Sequence, residues 1–321
     1  MDHPVVRLRL VLAYDGTRFH GWQLQAGDRT VQGVVEKALE VLAGVPVRAI
    51  GSGRTDAGVH ALGQTAHADV PASRAGLPWR RAVNALLPED VAVVSAEIAP
   101  AGFHARFGAV QKTYAYCLWT EPEFVWPQRR PFVWACGPVD MAAMNAAARE
   151  FVGTRDFAAM QNTGTEIAST VRTVFSITPT PGTTPFETIW RFTADGFLKQ
   201  MVRNMVGCLV AVGKGKVSPE DVRSLLTEGD RTRAPATAPA RGLCLEAVEY
   251  GDHGHGDKRH LSDQPASGPG GGRGRRDGER VGAGEKCRSG HGAWRRFRAA
   301  VASSRHRRPG PIPDPAADRL R

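Results

Sequence analysis

The chain is 321 residues long, 42% hydrophobic and 23% charged, which suits a soluble globular protein of two ordinary domains. Its start alternates charged and apolar residues and no apolar run approaches the length of a membrane span, so neither a secreted nor a membrane protein is expected, and the cytoplasm is. The formal charge of +10 points toward a polyanion, but residues 251–321 hold 16 Lys and Arg against 8 Asp and Glu, leaving 26 against 24 before them, so a nucleic-acid site in the folded part must rest on local clusters.

Val6, Leu8, Leu10 and Leu12 alternate with Arg7 and Arg9, the period of a half-buried strand ending at the turn Asp15-Gly16. In TVQGVVEKALEVLAG, Val31, Val34, Val35, Ala38, Leu39 and Leu42 form a helical stripe with Thr30 as N-cap and Gly44 as stop. GQTAHADV and VAVVSAEIA read as strands on either side of a helix around PWRRAVNALLP. A second set of elements begins near residue 109. QKTYAYCLW is a strand with Tyr114, Tyr116 and Leu118 on one face, DMAAMNAAAREFVG a helix capped by Asp140, and RTVFSI, ETIWRFTAD and LCLEAVEY are strands. FLKQMVRNMVGCLVAVG places Phe197, Met201, Met205, Leu209 and Val212 along one helical face. SPEDVRSLL carries a capping box of Ser218 and Asp221 around Pro219. Strands and helices mix without a strict βαβ rhythm, so the class is α+β. From 251 to 321 the chain is rich in Gly, Arg and Pro and poor in periodic apolar residues; it reads as a disordered tail, with an RNA-touching Arg/Gly arm as the functional alternative.

Cys117, Cys136, Cys208, Cys244 and Cys287 are odd in number and form no CxxC pair, which argues for reduced thiols rather than a disulfide framework or a zinc finger. His60, His67 and His104 fall in no HxxxH or HExxH helix and read as structural or surface histidines, so no metal is expected. AYDGT suggests an aspartyl-phosphate hydrolase, but Ala13 stands where the attacking aspartate belongs, and GSGRTD has no GK[ST] ending for a phosphate loop. The most site-like stretch is GSGRTDAGVHALGQ, where glycines 51, 53, 58 and 63 bracket Arg54 and Asp56. An arginine and an aspartate at this spacing can hold a tight turn; alternatively, an arginine two positions before a carboxylate favours its ionised form, and an ionised carboxylate on a shaped loop is a serviceable nucleophile.

YDGTRFHGWQ, GRTDAGVHALGQ, FHARF, KTYAY, Asp156-Phe157, FLKQMVRNMVG and GLCLEAVEY occur in that order over about residues 7 to 250, and together they resemble the tRNA pseudouridine synthase A family. The resemblance implies that Asp56 is the nucleophile and that Arg54 contacts RNA and helps evict the target nucleotide. It implies too that Tyr114 stacks on the target base, that Arg203 pairs with the catalytic carboxylate, and that Phe103, His104, Ala105, Arg106 and Phe107 lie along the RNA-binding surface. Arg74 matches a tRNA contact by offset alone. The fold implied has two similar α/β halves, 1–108 carrying the catalytic loop and 109–250, whose mainly antiparallel sheets join beside a positively charged cleft, followed by the tail 251–321. The function implied is isomerisation of uridine at positions 38, 39 and 40 of the tRNA anticodon stem-loop, by a homodimer and without a cofactor. A non-catalytic tRNA-binding protein with the same cleft is the alternative, and an aspartate-dependent hydrolase a third.

Overall fold

Alternation decides the first strand. In the computed structural model, which describes residues 4–162 and 168–251, Leu8, Leu10 and Leu12 of β1 (Val5–Tyr14) are fully buried while Arg7 and Arg9 point to the other side of the sheet. α1 (Val31–Ala43) starts where the Thr30 hydroxyl accepts from the Gly33 amide and stops at Gly44, left-handed at φ 75°. β2 (Ala49–Gly51) and β3 (His60–Pro71) flank the glycine-rich loop. α2 (Trp79–Asn84) is shorter than its apolar pattern suggests: the Asn84 amide exchanges two hydrogen bonds with the backbone of Val93 in β4 (Val91–Ile98) and ties the helix end there.

β5 (Ala109–Trp119), the two-residue β6 (Trp134–Ala135), α3 (Met141–Phe151), β7 (Gly153–Asp156), β8 (Val171–Pro181) and β9 (Glu187–Ala194) follow. Asp140 caps α3 by accepting from the amides of Ala142 and Ala143. α4 (Met201–Gly213) begins four residues later than its periodicity indicates. Phe197 lies outside it, because Gln200 adopts φ 61°, the one positive φ at a non-glycine among the described residues, and this breaks the helical path. α5 (Pro219–Glu228) carries the complete Ser218–Asp221 capping box, and β10 (Leu243–Tyr250) closes the described chain. Apart from Gly251, the tail beginning at 251 lies outside the described residues.

The ten strands of the described residues form one large, mostly antiparallel sheet. Its order is β4-β1-β3-β10-β5-β9-β8-β7, with β2 added to β3 and β6 to β5. The last strand in sequence therefore sits in the middle, parallel to β3 and antiparallel to β5. α1 packs against α2, and α3 against α4 and α5. Their apolar sides share one continuous core with Leu8, Leu10, Leu12, Tyr114, Tyr116, Leu118, Trp190 and Phe192 of the sheet, so the helices cover a single face. The reverse face carries alternate residues and is laced with ion pairs, Arg7–Asp69 at 2.7 Å and Arg191–Glu246 at 2.7 Å.

Candidate active site

Residues paired directly across strands point to the same side of a sheet. Tyr14 faces Ala61, Ala61 faces Leu245, Leu245 faces Tyr114 and Tyr114 faces Phe192, a buried row running from β1 to β9 on the helix-covered face. The loop holding Asp56 is fastened to the β1 end of this row: the Tyr14 hydroxyl lies 2.9 Å from Thr55 Oγ1. Burial raises the Tyr14 phenol far above its ordinary pKa, so it stays protonated as a hydrogen-bonding group.

A second clamp comes from the turn after β1. The Trp22 amide donates to the Thr55 carbonyl at 3.1 Å and the Gly58 amide to the Phe19 carbonyl at 3.2 Å. Gly21, at φ 86°, passes so close that a Cβ there would meet the Thr55 carbonyl oxygen at 2.4 Å. On the far side the Gln64 amide donates to the Gly53 carbonyl and its oxygen accepts from the Ser52 hydroxyl, while Lys112 Nζ donates to the Ser52 carbonyl at 2.8 Å. The loop is thus a rigid shape, with the Asp56 carboxylate on it 28% exposed.

Arg203, in the first turn of α4, donates from Nη1 to Asp56 Oδ2 at 3.0 Å, across 147 positions of sequence. Its side chain is 15% exposed, and its Nε donates to the Ala238 carbonyl at 2.8 Å while the Ala238 amide returns a bond to the Arg203 carbonyl. Charge-assisted bonds of this kind fix a carboxylate more firmly than neutral ones. Tyr114 is only 8% exposed and meets the Phe197 ring edge-on at 5.3 Å. Burial first, and then the negative charge of Asp56, raise its phenol well above the usual value. A fixed, ionisable carboxylate, a counter-charge and an aromatic ring thus meet over an apolar sheet row, an arrangement suited to nucleophilic attack on a planar heterocycle or the sugar it bears.

The arginine nearest Asp56 in sequence is not its partner: Arg54 Nε donates instead to Gln23 Oε1 at 3.1 Å, and its side chain is exposed. Arg74 ends a short helical turn before α2 and is exposed. Phe103 to Phe107 forms a turn against the reverse face. The Phe103 ring is buried beside Tyr250 at 5.0 Å and beneath the Arg9 guanidinium, Ala105 is fully buried, and the Tyr250 hydroxyl donates to the Ala105 carbonyl. His104 Nδ1 accepts from the amides of Arg106 and Phe107, and of these five residues only Arg106 and Phe107 are exposed. His60 accepts the Gly16 amide at Nδ1, and His67 accepts the Ala105 amide at Nδ1; both are buried, and burial lowers the pKa of each, that of His67 to about 4. Tyr14, Thr55, Gln64 and Ala238 went unnoticed in the sequence. The YDG signal marks Tyr14 only as a strand end, and Ala238 acts through its backbone, which side-chain chemistry does not reveal.

The family model described as tRNA pseudouridine synthase matches residues 10–108 and 147–251. A protein of Solidesulfovibrio magneticus named tRNA pseudouridine synthase A is 60% identical over 267 residues, covering 82% of this chain and 97% of that protein. Proteins of the same name from Maridesulfovibrio salexigens and Geobacillus kaustophilus are 55% and 43% identical, covering 78% and 77% of this chain and 92% and 95% of their own lengths. Among solved structures, one titled as a Cbf5-Nop10-Gar1 complex has a TM-score of 0.28 at 10% identity, covering 66% of this chain and 55% of that one, too distant to bear on the fold. With a family model spanning both sides of the glycine-rich loop and relatives matched nearly end to end, this chain belongs to the tRNA pseudouridine synthase family.

Proposed function

We propose that Asp56 is the nucleophile with which this chain, a tRNA uridine-to-pseudouridine isomerase, detaches uracil from its ribose and rejoins it through C5. The exchange breaks the C1′–N1 and C5–H bonds and makes C1′–C5 and N1–H, the proton lost from C5 being matched by the one gained at N1, with no net redox change and no group donor, so a single carboxylate nucleophile suffices. The observation that carries the reading is the Asp56 carboxylate, partly open to solvent, held at 3.0 Å by Arg203 beside the buried Tyr114 ring. A uridine inside a stem must leave its stack, at a cost of a few kcal/mol, and stacking on Tyr114 offsets part of that cost at about 1–3 kcal/mol per base.

The substrate position is the anticodon stem-loop, at 38, 39 and 40, in the cytoplasm. The halves 1–108 and 109–250 flank a positively charged cleft, and the active form is a homodimer. Arg54, Arg74 and Arg106 contact phosphates, and Phe107 is the ring of the Phe103–Phe107 turn open to RNA. Support for this extension comes from the exposure of these four side chains and from the family's motifs.

The test incubates the full chain and its Asp56→Asn variant with unmodified tRNA and maps pseudouridine. Wild-type product at 38–40 and none from the variant is expected. Normal product from the variant removes Asp56 from its role, and tRNA binding without isomerised uridine in the wild type leaves a binding protein instead.

A further inference from the structure

We propose that Arg231 is a positioning residue for the isomerisation, holding the segment 234–239 against α4 so that Ala238 aims the Arg203 guanidinium at Asp56. This rests on the reading of Asp56 as nucleophile.

Arg203 is a long, flexible side chain, and two bonds fix it: Nη1 to Asp56 and Nε to the Ala238 carbonyl. The second acceptor is useful only if Ala238 itself stays in place, and Ala238 belongs to a stretch with no helix or strand. What holds that stretch is a polar knot built on the residue after Arg203. Asn204, fully buried, donates to the Met160 carbonyl at 2.7 Å, and its Oδ1 accepts from both Arg231 Nη2 at 2.9 Å and the Thr237 hydroxyl at 2.7 Å. Arg231 Nη2 also donates to Thr237 Oγ1 at 2.8 Å, and Nη1 reaches the carbonyls of Ala234 and Pro235 at 3.4 Å each. Arg231 therefore grips the segment at three residues and the helix at one. Gly207 lets this contact close: a Cβ there would lie 2.1 Å from the Ala236 carbonyl oxygen, so the segment lies against bare helix backbone.

The chain of consequence runs from Arg231 to the segment, to Ala238, to the direction of Arg203 and so to Asp56. Without the Arg231 guanidinium, two carbonyls, Thr237 and Asn204 lose a donor, and the backbone carrying Ala238 keeps only its own packing and its amide bond to the Arg203 carbonyl, which moves with the residue it should aim. A drift of about 1 Å at a catalytic group costs on the order of 100-fold in rate. Affinity for tRNA, set by phosphate contacts elsewhere, changes little, so the effect falls on kcat rather than KM.

The experiment compares single-turnover rates at saturating tRNA for wild type, Arg231→Gln, Arg203→Lys and the double variant, followed long enough that a severe loss stays measurable, with tRNA Kd and thermal midpoints alongside. Expected are a fall of about tenfold or more for Arg231→Gln with Kd within about twofold, and a further fall of under about twofold when the same change is made on top of Arg203→Lys. A wild-type rate for Arg231→Gln overturns the proposal, and so does an equal fall in both backgrounds, which is the mark of a merely structural arginine. If Arg231→Gln fails to fold, Thr237→Val, which leaves the guanidinium and removes one of its anchors, is read by the same two criteria. An active Asp56→Asn enzyme refutes the reading of the site itself; an inactive one beside a fully active Arg231→Gln refutes only the positioning role.

Discussion

The contact between Arg203 and Asp56 can be measured without any assay of activity. At an effective dielectric constant near 20, unit charges about 4 Å apart attract by about 4 kcal/mol. Here the closest atoms are 3.0 Å apart, with side chains 15% and 28% exposed, so solvent screening and the desolvation of both ions reduce the net figure. We expect a coupling of about 1–2 kcal/mol, above the 0.2–1 kcal/mol of pairs on open surface. The perturbations are Asp56→Asn and Arg203→Gln, singly and together: both remove the charge, the first at constant side-chain shape and the second with a shorter polar side chain. Urea unfolding followed by tryptophan fluorescence gives the four stabilities, and the cycle cancels the bond from Arg203 to Ala238, which both arginine-free proteins lack. A coupling below about 0.5 kcal/mol would show that the two side chains are mere neighbours and that the carboxylate is held by something else.

Three more outcomes follow from the same geometry. Burial, aided by the positive charge of Arg7, lowers His67 from its ordinary 6.5 to about 4, and the unfolded chain therefore takes up a proton that the folded one refuses. Stability should fall as pH drops from about 6.5 to about 4, by up to roughly 3 kcal/mol, and the difference in urea midpoint between wild type and His67→Gln should track that window; parallel pH profiles would refute it. Gly21→Ala drives a methyl into the Thr55 carbonyl at a left-handed φ, so it should destabilise by about 2–4 kcal/mol in urea and lower turnover by displacing Asp56; an unchanged midpoint would mean the clamp is loose. Arg54→Ala and Arg106→Ala should each weaken tRNA binding and reduce the slope of log K against log salt by about 1, and an unchanged slope would show that the side chain does not reach a phosphate.

Features set by neighbours in sequence were readable before any coordinates. The Asp140 cap, the Ser218–Asp221 box and the alternation of Tyr114, Tyr116 and Leu118 each depend on residues within a few positions, and each stands in the structure as read. What failed depends on contacts from afar. The apolar rhythm of α4 runs back to Phe197, yet Gln200 turns left-handed and sends the Phe197 ring edge-on to Tyr114. Proximity in sequence favoured Arg54 as the charge beside Asp56, whereas the contact comes from Arg203, as the family resemblance implied. Of FHARF, which the resemblance lays along the RNA-binding surface, the first ring and the alanine fill space under Tyr250 and Arg9, and only Arg106 and Phe107 are exposed. No periodicity could have said that β10, the last strand, would enter the sheet between β3 and β5.

That insertion fixes the dimensions of the site. Adjacent strands lie about 4.8 Å apart, so the one strand between Ala61 and Tyr114 sets roughly 10 Å from the β3 backbone leading out of the loop to the β5 backbone that carries Tyr114. Leu245, 1% exposed, is the apolar floor of that interval. A slip of β10 by one residue would turn Cys244 or Glu246 onto the floor, and a charge there would repel the Asp56 carboxylate instead of backing it. The register is held from both sides, by Cys244 and Leu245 against His60 and Ala61 and by Leu243 and Leu245 against Tyr116 and Tyr114. It is held by close approach as well: a Cβ on Gly63 would meet the Glu246 carbonyl oxygen at 2.4 Å. The glycine at 63 therefore keeps Leu245 in its place between Ala61 and Tyr114, because a side chain there would press on the Glu246 backbone and push β10 away from β3.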